Sequence, residues 1–194
     1  MKSWVTLIEL LIAIVIFWIW VIYVVGNVIW NISYVERTSM KTQSTFLAKE
    51  GIEIAYNLVD SNIERWMHWN CANYDTNDYS CDDFLWSWNS YYKAEISTWS
   101  AFSISSISNT NHEDNILYFH TWDLNWYTWF WYDHDDTWKE TDFSRYLYFT
   151  WVYSEGDSWV LDKSEILKVK SVVKFKKWAY TWDVTLESFV WNVR

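Results

Sequence analysis

Residues 2–23 read KSWVTLIELLIAIVIFWIWVIY, an apolar run in which Glu9 is the one carboxylate. Residues 10–25 carry no charge, and extended to 7–29 the segment reaches the roughly 20 residues a helix needs to span a bilayer. Lys2 is the only basic residue ahead of it and no A-x-A site follows, so an ordinary secretory signal fits poorly. An ionised, unpaired carboxylate inside hydrocarbon costs a few kcal/mol. One turn into a helix, Glu9 lies close to the membrane surface, which lowers that cost. A plain signal anchor with an interfacial Glu is the simplest account of this pattern.

Composition adds a second constraint. The 194 residues include 19 Trp, 3 Gly and no Pro, whereas Gly ordinarily makes up about 7% of a chain. A domain so short of Gly and Pro has few ways to reach positive φ or to fix tight turns. The Trp residues stand where turns belong: SEGDSWVLD (154–162), FKKWAYTWDVT (175–185), DHDDTWKE (133–140). Read with Gly in place of Trp, these segments become ordinary hairpin turns. Some bacterial lineages decode UGA as glycine, and a conventional translation of such a gene writes Trp at those codons. A chain truly rich in Trp, built to bind through aromatic side chains, is the other reading.

With Trp4 read as Gly, residues 3–11 become S-G-V-T-L-I-E-L-L, which resembles the leader of type IV pilins and pseudopilins. The resemblance implies cleavage by a prepilin peptidase between Trp4 and Val5, and N-methylation of Val5. Thr6, Leu7 and Ile8 fill the motif positions, and Glu9 is the fifth mature residue, the family's intersubunit charge partner. Val5 departs from the commoner Phe, and Trp4, if real, departs from the Gly at the cut site. The physics suits Glu9. In a filament with an apolar core, the carboxylate of one subunit is neutralised by the α-amino group of the next, which favours assembly over isolated insertion.

Residues 31–63 contain no Pro, and Ala48, Ile52, Ala55, Val59 and Ile63 recur at helical spacing, with Leu47, Ile54 and Leu58 one face over. The helix therefore continues beyond the membrane with a core-facing stripe. FLAKEGIEIAYNLVDSN (46–62) and the closing VTLESF also resemble segments of pseudopilin-like chains. The expected fold is α+β: a long N-terminal helix, half transmembrane and half amphipathic, packed on a small antiparallel sheet. The expected division is a leader at 1–4, the helix at 5–63, a connecting region at 64–114 and the sheet head at 115–194.

In the head, strands are expected at 91–98, 101–108, 115–120, 145–153, 166–177 and 183–194, with a turn in WAYTW (178–182). In ILKVKSVVKFKK, Leu167, Val169, Val173 and Phe175 face one way and Lys168, Lys170, Lys174 and Lys176 the other. The lysine face reads as a solvated strand face, with docking of an acidic neighbouring subunit as its functional alternative. Cys71 and Cys81 have no CxxC or paired His spacing for zinc. In an exported domain they are expected to form a disulfide, with two free thiols as the alternative. The disulfide common in pilins closes a later loop, so the resemblance does not supply this one.

Asp133, His134, Asp135, Asp136 and Asp142 cluster in sequence and invite calcium, but the ligand spacing of an EF-hand is absent and a solvated acidic turn explains them equally well. His68, His112, His120 and His134 lie in separate contexts, with no nucleophile elbow or phosphate loop, so no enzyme activity and no cofactor are expected. The balance of 25 acidic against 15 basic residues argues against a nucleic-acid surface. The expected partners are a prepilin peptidase, other pilin or pseudopilin subunits, the assembly platform and the membrane. The expected location is the cytoplasmic membrane, single-pass with the head outside, and then an extracellular or cell-envelope filament. A tip-located minor pilin is one variant of this reading; a membrane-anchored, aromatic-rich adhesin or carbohydrate-binding module is the rival.

Overall fold

The computed structural model describes residues 2–74, 81–85, 91–97, 101–124, 127–134, 136, 139–152, 166–177 and 180–191, and for some of these, residues 2–6 among them, the backbone alone. Two compact units divide the chain, Met1–Thr42 and Gln43–Arg194. Helix α1 is Lys2–Glu64. In the first unit it presents large apolar side chains outward, from Leu7 at 56% exposed to Val35 at 66%. The helix is long and apolar enough to cross a membrane. Its polar side chains turn back on it: Asn27 donates to the Tyr23 carbonyl, Thr38 to Tyr34 and Thr42 to Thr38. Such i−4 bonds satisfy polar groups within the helix itself.

In the second unit, residues 43–64 of α1 pack on an antiparallel sheet. Strand β1 (Cys71–Tyr74) pairs with β2 (Cys81–Phe84) as a small hairpin. The larger sheet holds β3 (Tyr91–Ser97), β4 (Ala101–Ile107), β5 (Ile116–Leu124), β6 (Tyr127–Asp133), β7 (Lys139–Trp151), β8 (Ile166–Lys177) and β9 (Tyr180–Trp191). β7 is its hub. One edge of β7 runs along β8, and the other is shared by β5, through Ile116↔Ser144, and β3, through Tyr92↔Leu147.

Helical spacing places Ser44, Leu47, Ala48, Gly51, Ile52, Ile54, Ala55, Leu58 and Val59 on the buried stripe. Of these, Ile52, Ile54, Ala55, Leu58 and Val59 meet Tyr92, Ala94, Ile104, Leu147, Phe149, Leu167, Val169 and Val190 in one core. Burying a side chain of Leu or Ile size contributes about 1.5–3 kcal/mol. The stripe matches the sequence expectation except at its end, where Asn62 is buried and Ile63 only partly so. Asn62 Nδ2 donates to the carbonyls of Trp69 (3.2 Å) and Cys71 (2.8 Å), holding the chain as it leaves the helix.

At Gly51 the helix lies close against the sheet. A Cβ there would meet the Ser171 hydroxyl, with Leu147 Cδ2 at 3.1 Å and Arg145 Cδ at 3.3 Å. The helix closes at Trp66, whose φ is 63°. Trp66 N–H donates to Ile63 O (3.1 Å) and Met67 N–H to Asn62 O (2.9 Å). At the far end of the chain, Tyr56 clasps β9: its hydroxyl donates to the Phe189 carbonyl (2.8 Å) and accepts from Ser188 Oγ (2.7 Å).

Strand β8 has the bounds its alternation predicts, and its inward residues Leu167, Val169, Val173 and Phe175 are buried. Other elements differ. β7 begins at Lys139 rather than 145, because its polar first residues pair with β5 through Phe119↔Lys139 and Tyr118↔Glu140. β6 was not expected as a strand, yet it pairs with β5 along its whole length. The turn read over 178–182 is tighter, since Thr181 and Trp182 are already in β9, paired with Lys176 and Phe175. Residues 178 and 179 lie outside the described set, as do 154–162.

Candidate assembly segment and the head that carries it

The motif residues Trp4, Val5 and Thr6 lie on the first turns of α1; their side chains fall outside the described set. Leu7 and Ile8 are 56% and 55% exposed, and Glu9 beside them is exposed too. No charged residue stands between Glu9 and Glu36. Among the described residues nothing forms a hydrogen bond or ion pair with Glu9. The helix thus displays one carboxylate at the start of an exposed apolar surface, where a positive group from outside the chain can reach it.

The two cysteines form a disulfide, with Cα atoms 5.7 Å apart. It ties the two strands of the β1–β2 hairpin, where Cys71 stands opposite Phe84 and Cys81 opposite Tyr74. The free-thiol alternative is thereby set aside.

The lysine row of β8 is engaged within its own head. Lys168 and Lys170 both pair with Glu187 of β9, Lys170 at 2.7 Å. Lys176 pairs with Glu113 at 3.3 Å. Lys174 donates to the Thr110 carbonyl and stands 5.3 Å over the Tyr146 ring. Hydrogen bonds from Lys168 and Lys170 hold the Glu187 carboxyl below its ordinary range. These contacts favour a solvated, internally neutralised face over a basic docking surface.

The acidic stretch is described only in part, and the Asp133 side chain lies outside the described set. β6 ends at Asp133, Asp136 is exposed, and Asp135 lies outside the described residues. Among the described residues no group of three or more His, Cys, Asp or Glu is placed to hold a metal. His134 turns inward, its Nδ1 at 2.9 Å from the Ile116 carbonyl. Burial, then the Arg145 charge, depresses its pKa to about 3, so the ring is neutral and donates this bond. Its Nε2 is buried without a partner among the described groups. His112 Nδ1 meets Ser144 Oγ at 2.9 Å, and burial followed by the Lys176 charge lowers its pKa. His68 contacts Asn70 Oδ1 and packs edge-on against Phe84. The His120 side chain lies outside the described set. Each described histidine therefore serves a separate local hydrogen bond, and none meets another.

One polar group in the core had not been singled out from sequence. Arg145 of β7 is fully buried. Its Nη1 and Nη2 donate to the carbonyls of Leu47 (3.3 Å) and Ala94 (3.1 Å), and Nη1 lies 3.3 Å from Glu50 Oε1. The contact with Glu50 is an ion pair without hydrogen-bond alignment, since Oε1 and Arg145 Nε both lack a hydrogen-bond partner. The signal for it was faint: one Arg inside an aromatic strand and one Glu on the rim of an apolar helical stripe.

Comparison with protein-family models, with curated proteins and with solved structures returned no match. The long apolar helix, the antiparallel sheet beneath its second half and the disulfide are compatible with a pilin-like subunit.

Proposed function

We propose that the chain is a structural subunit, a pilin, minor pilin or pseudopilin, of a type IV pilus or a type II secretion-like filament. It inserts in the membrane through the apolar part of α1, is cut between Trp4 and Val5, is methylated at Val5 and polymerises through its helix. The observation that carries this reading is Glu9: an exposed carboxylate, without a partner among the described residues, ahead of an uncharged helical surface. A carboxylate in apolar surroundings is stabilised by a cation brought to it, and the new α-amino group of a neighbouring subunit is such a cation. No enzymatic chemistry is assigned to the head; its role is to form the filament's outer layer.

The test is Glu9→Ala in cells that carry the prepilin peptidase and the assembly platform. Normal processing with lost filament assembly is the expected result. Assembly or surface display at the wild-type level would instead favour a membrane-anchored binding protein, since an anchor does not need Glu9.

A further inference from the structure

One residue other than glycine takes a left-handed backbone among the described residues: Trp66, at φ 63°. It is the first residue beyond the closing turn of α1. Trp66 N–H bonds Ile63 O, and Met67 N–H bonds Asn62 O. These are the 5→2 and 6→1 bonds of the Schellman closure, which requires a left-handed residue at this position. Glycine adopts that conformation freely, while a side chain's Cβ crowds the following carbonyl. Trp is among the bulkiest choices for such a position.

Nothing about the indole offsets the strain through burial, because Trp66 is 86% exposed. The position selects a backbone conformation, and it buries little of the large apolar side chain. A second tryptophan points the same way: Trp182 is partly buried against Phe175 with its Nε1–H buried and unpartnered among the described groups, although buried indoles ordinarily find an acceptor. Both belong to a chain with 19 Trp and 3 Gly.

We infer that residue 66 is glycine in the protein as its own cells make it, its codon being a UGA decoded as glycine. The inference is specific to what the backbone demands. Trp69, three residues on, is 5% exposed within the core and carries no such demand. It also stands apart from the assembly proposal: a pilin-like subunit with Trp at 66, or an anchored binding protein with glycine there, is chemically consistent.

Two measurements test it. In the protein isolated from its own cells, the tryptic peptide that begins after Arg65 is read by mass spectrometry. Glycine as its first residue is the expected result; tryptophan there overturns the inference. In parallel, the full-length recombinant chain in detergent micelles is compared with Trp66→Gly and Trp66→Ala by thermal unfolding. Trp66→Gly is expected to raise the midpoint by about 2–4 °C for a chain of this length, while Trp66→Ala, still carrying a Cβ, gives no such rise. An equal gain from both variants would show that removing the exposed indole matters and the left-handed backbone does not.

Discussion

Arg145 Nη1 lies 3.3 Å from Glu50 Oε1, joining the hub strand of the sheet to α1. The guanidinium is fully buried, whereas the Glu50 side chain is 30% exposed, so solvent screens the carboxylate more than the cation. Most of what Arg145 contributes therefore comes from the Leu47 and Ala94 carbonyls it satisfies. Arg145→Ala should cost about 3–5 kcal/mol, because it removes the cation and leaves two carbonyls and a cavity. Glu50→Gln should cost less, about 1–2 kcal/mol, after allowance for screening. Chemical denaturation of both variants checks the order; equal losses would contradict it.

Gly51→Ala should destabilise by about 1–3 kcal/mol, the usual range for overpacking. The added Cβ collides with the Ser171 hydroxyl and crowds Leu147 and Arg145. Ser171 Oγ has no hydrogen-bond partner among the described groups, so Ser171→Ala alone should be close to neutral. The double variant Gly51→Ala/Ser171→Ala should recover part of the loss. If it recovers nothing, the Leu147 and Arg145 contacts set the limit and Ser171 does not.

His134 should make the head acid-sensitive. Its folded pKa of about 3 lies below the ordinary 6.5, so below pH 6.5 the unfolded chain takes up a proton that the folded chain refuses. The stability tied to this residue is whole above pH 6.5 and is lost progressively as pH falls towards 3. Over the full window the loss is on the order of 4–5 kcal/mol. His112, also depressed, acts in the same direction. Thermal midpoints of wild type and His134→Gln between about pH 7 and about pH 5 should diverge, with the shallower slope in the variant. Parallel slopes would remove His134 as the cause.

Opening the Cys71–Cys81 bond should lower stability by on the order of 2–3 kcal/mol, the entropy of a short closed loop. A reducing agent, or paired Cys71→Ala and Cys81→Ala, should lower the unfolding free energy read from chemical denaturation by the same amount. Agreement between the two treatments is the check, since the alanines remove the sulfurs as well as the bond.

Where one periodicity dominated, the fold was legible in the sequence. The apolar stripe of α1 gave its buried face, and the Lys/apolar alternation of β8 gave that strand's bounds. β6 escaped because YTWFWYD is aromatic on both faces and offers no alternation. The first residues of β7, KETD, are polar and are drawn into the sheet only by β5. The long apolar helix with Glu9 as the one carboxylate near its start was legible in the sequence, because a lone charge in an apolar run stands out. The Glu50–Arg145 link was not, because it joins residues far apart in the chain and neither breaks its local pattern alone.

Tyr56 holds Ser188 and Phe189 at sequence separations of 132 and 133 residues. Its consequence lies in the order of synthesis. The helix is made long before its clasping strand, so the core under residues 43–64 cannot close until the chain through β9 has emerged. Distant contacts of this kind slow folding. A polypeptide truncated ahead of β9 would have its apolar helix complete and its core still open.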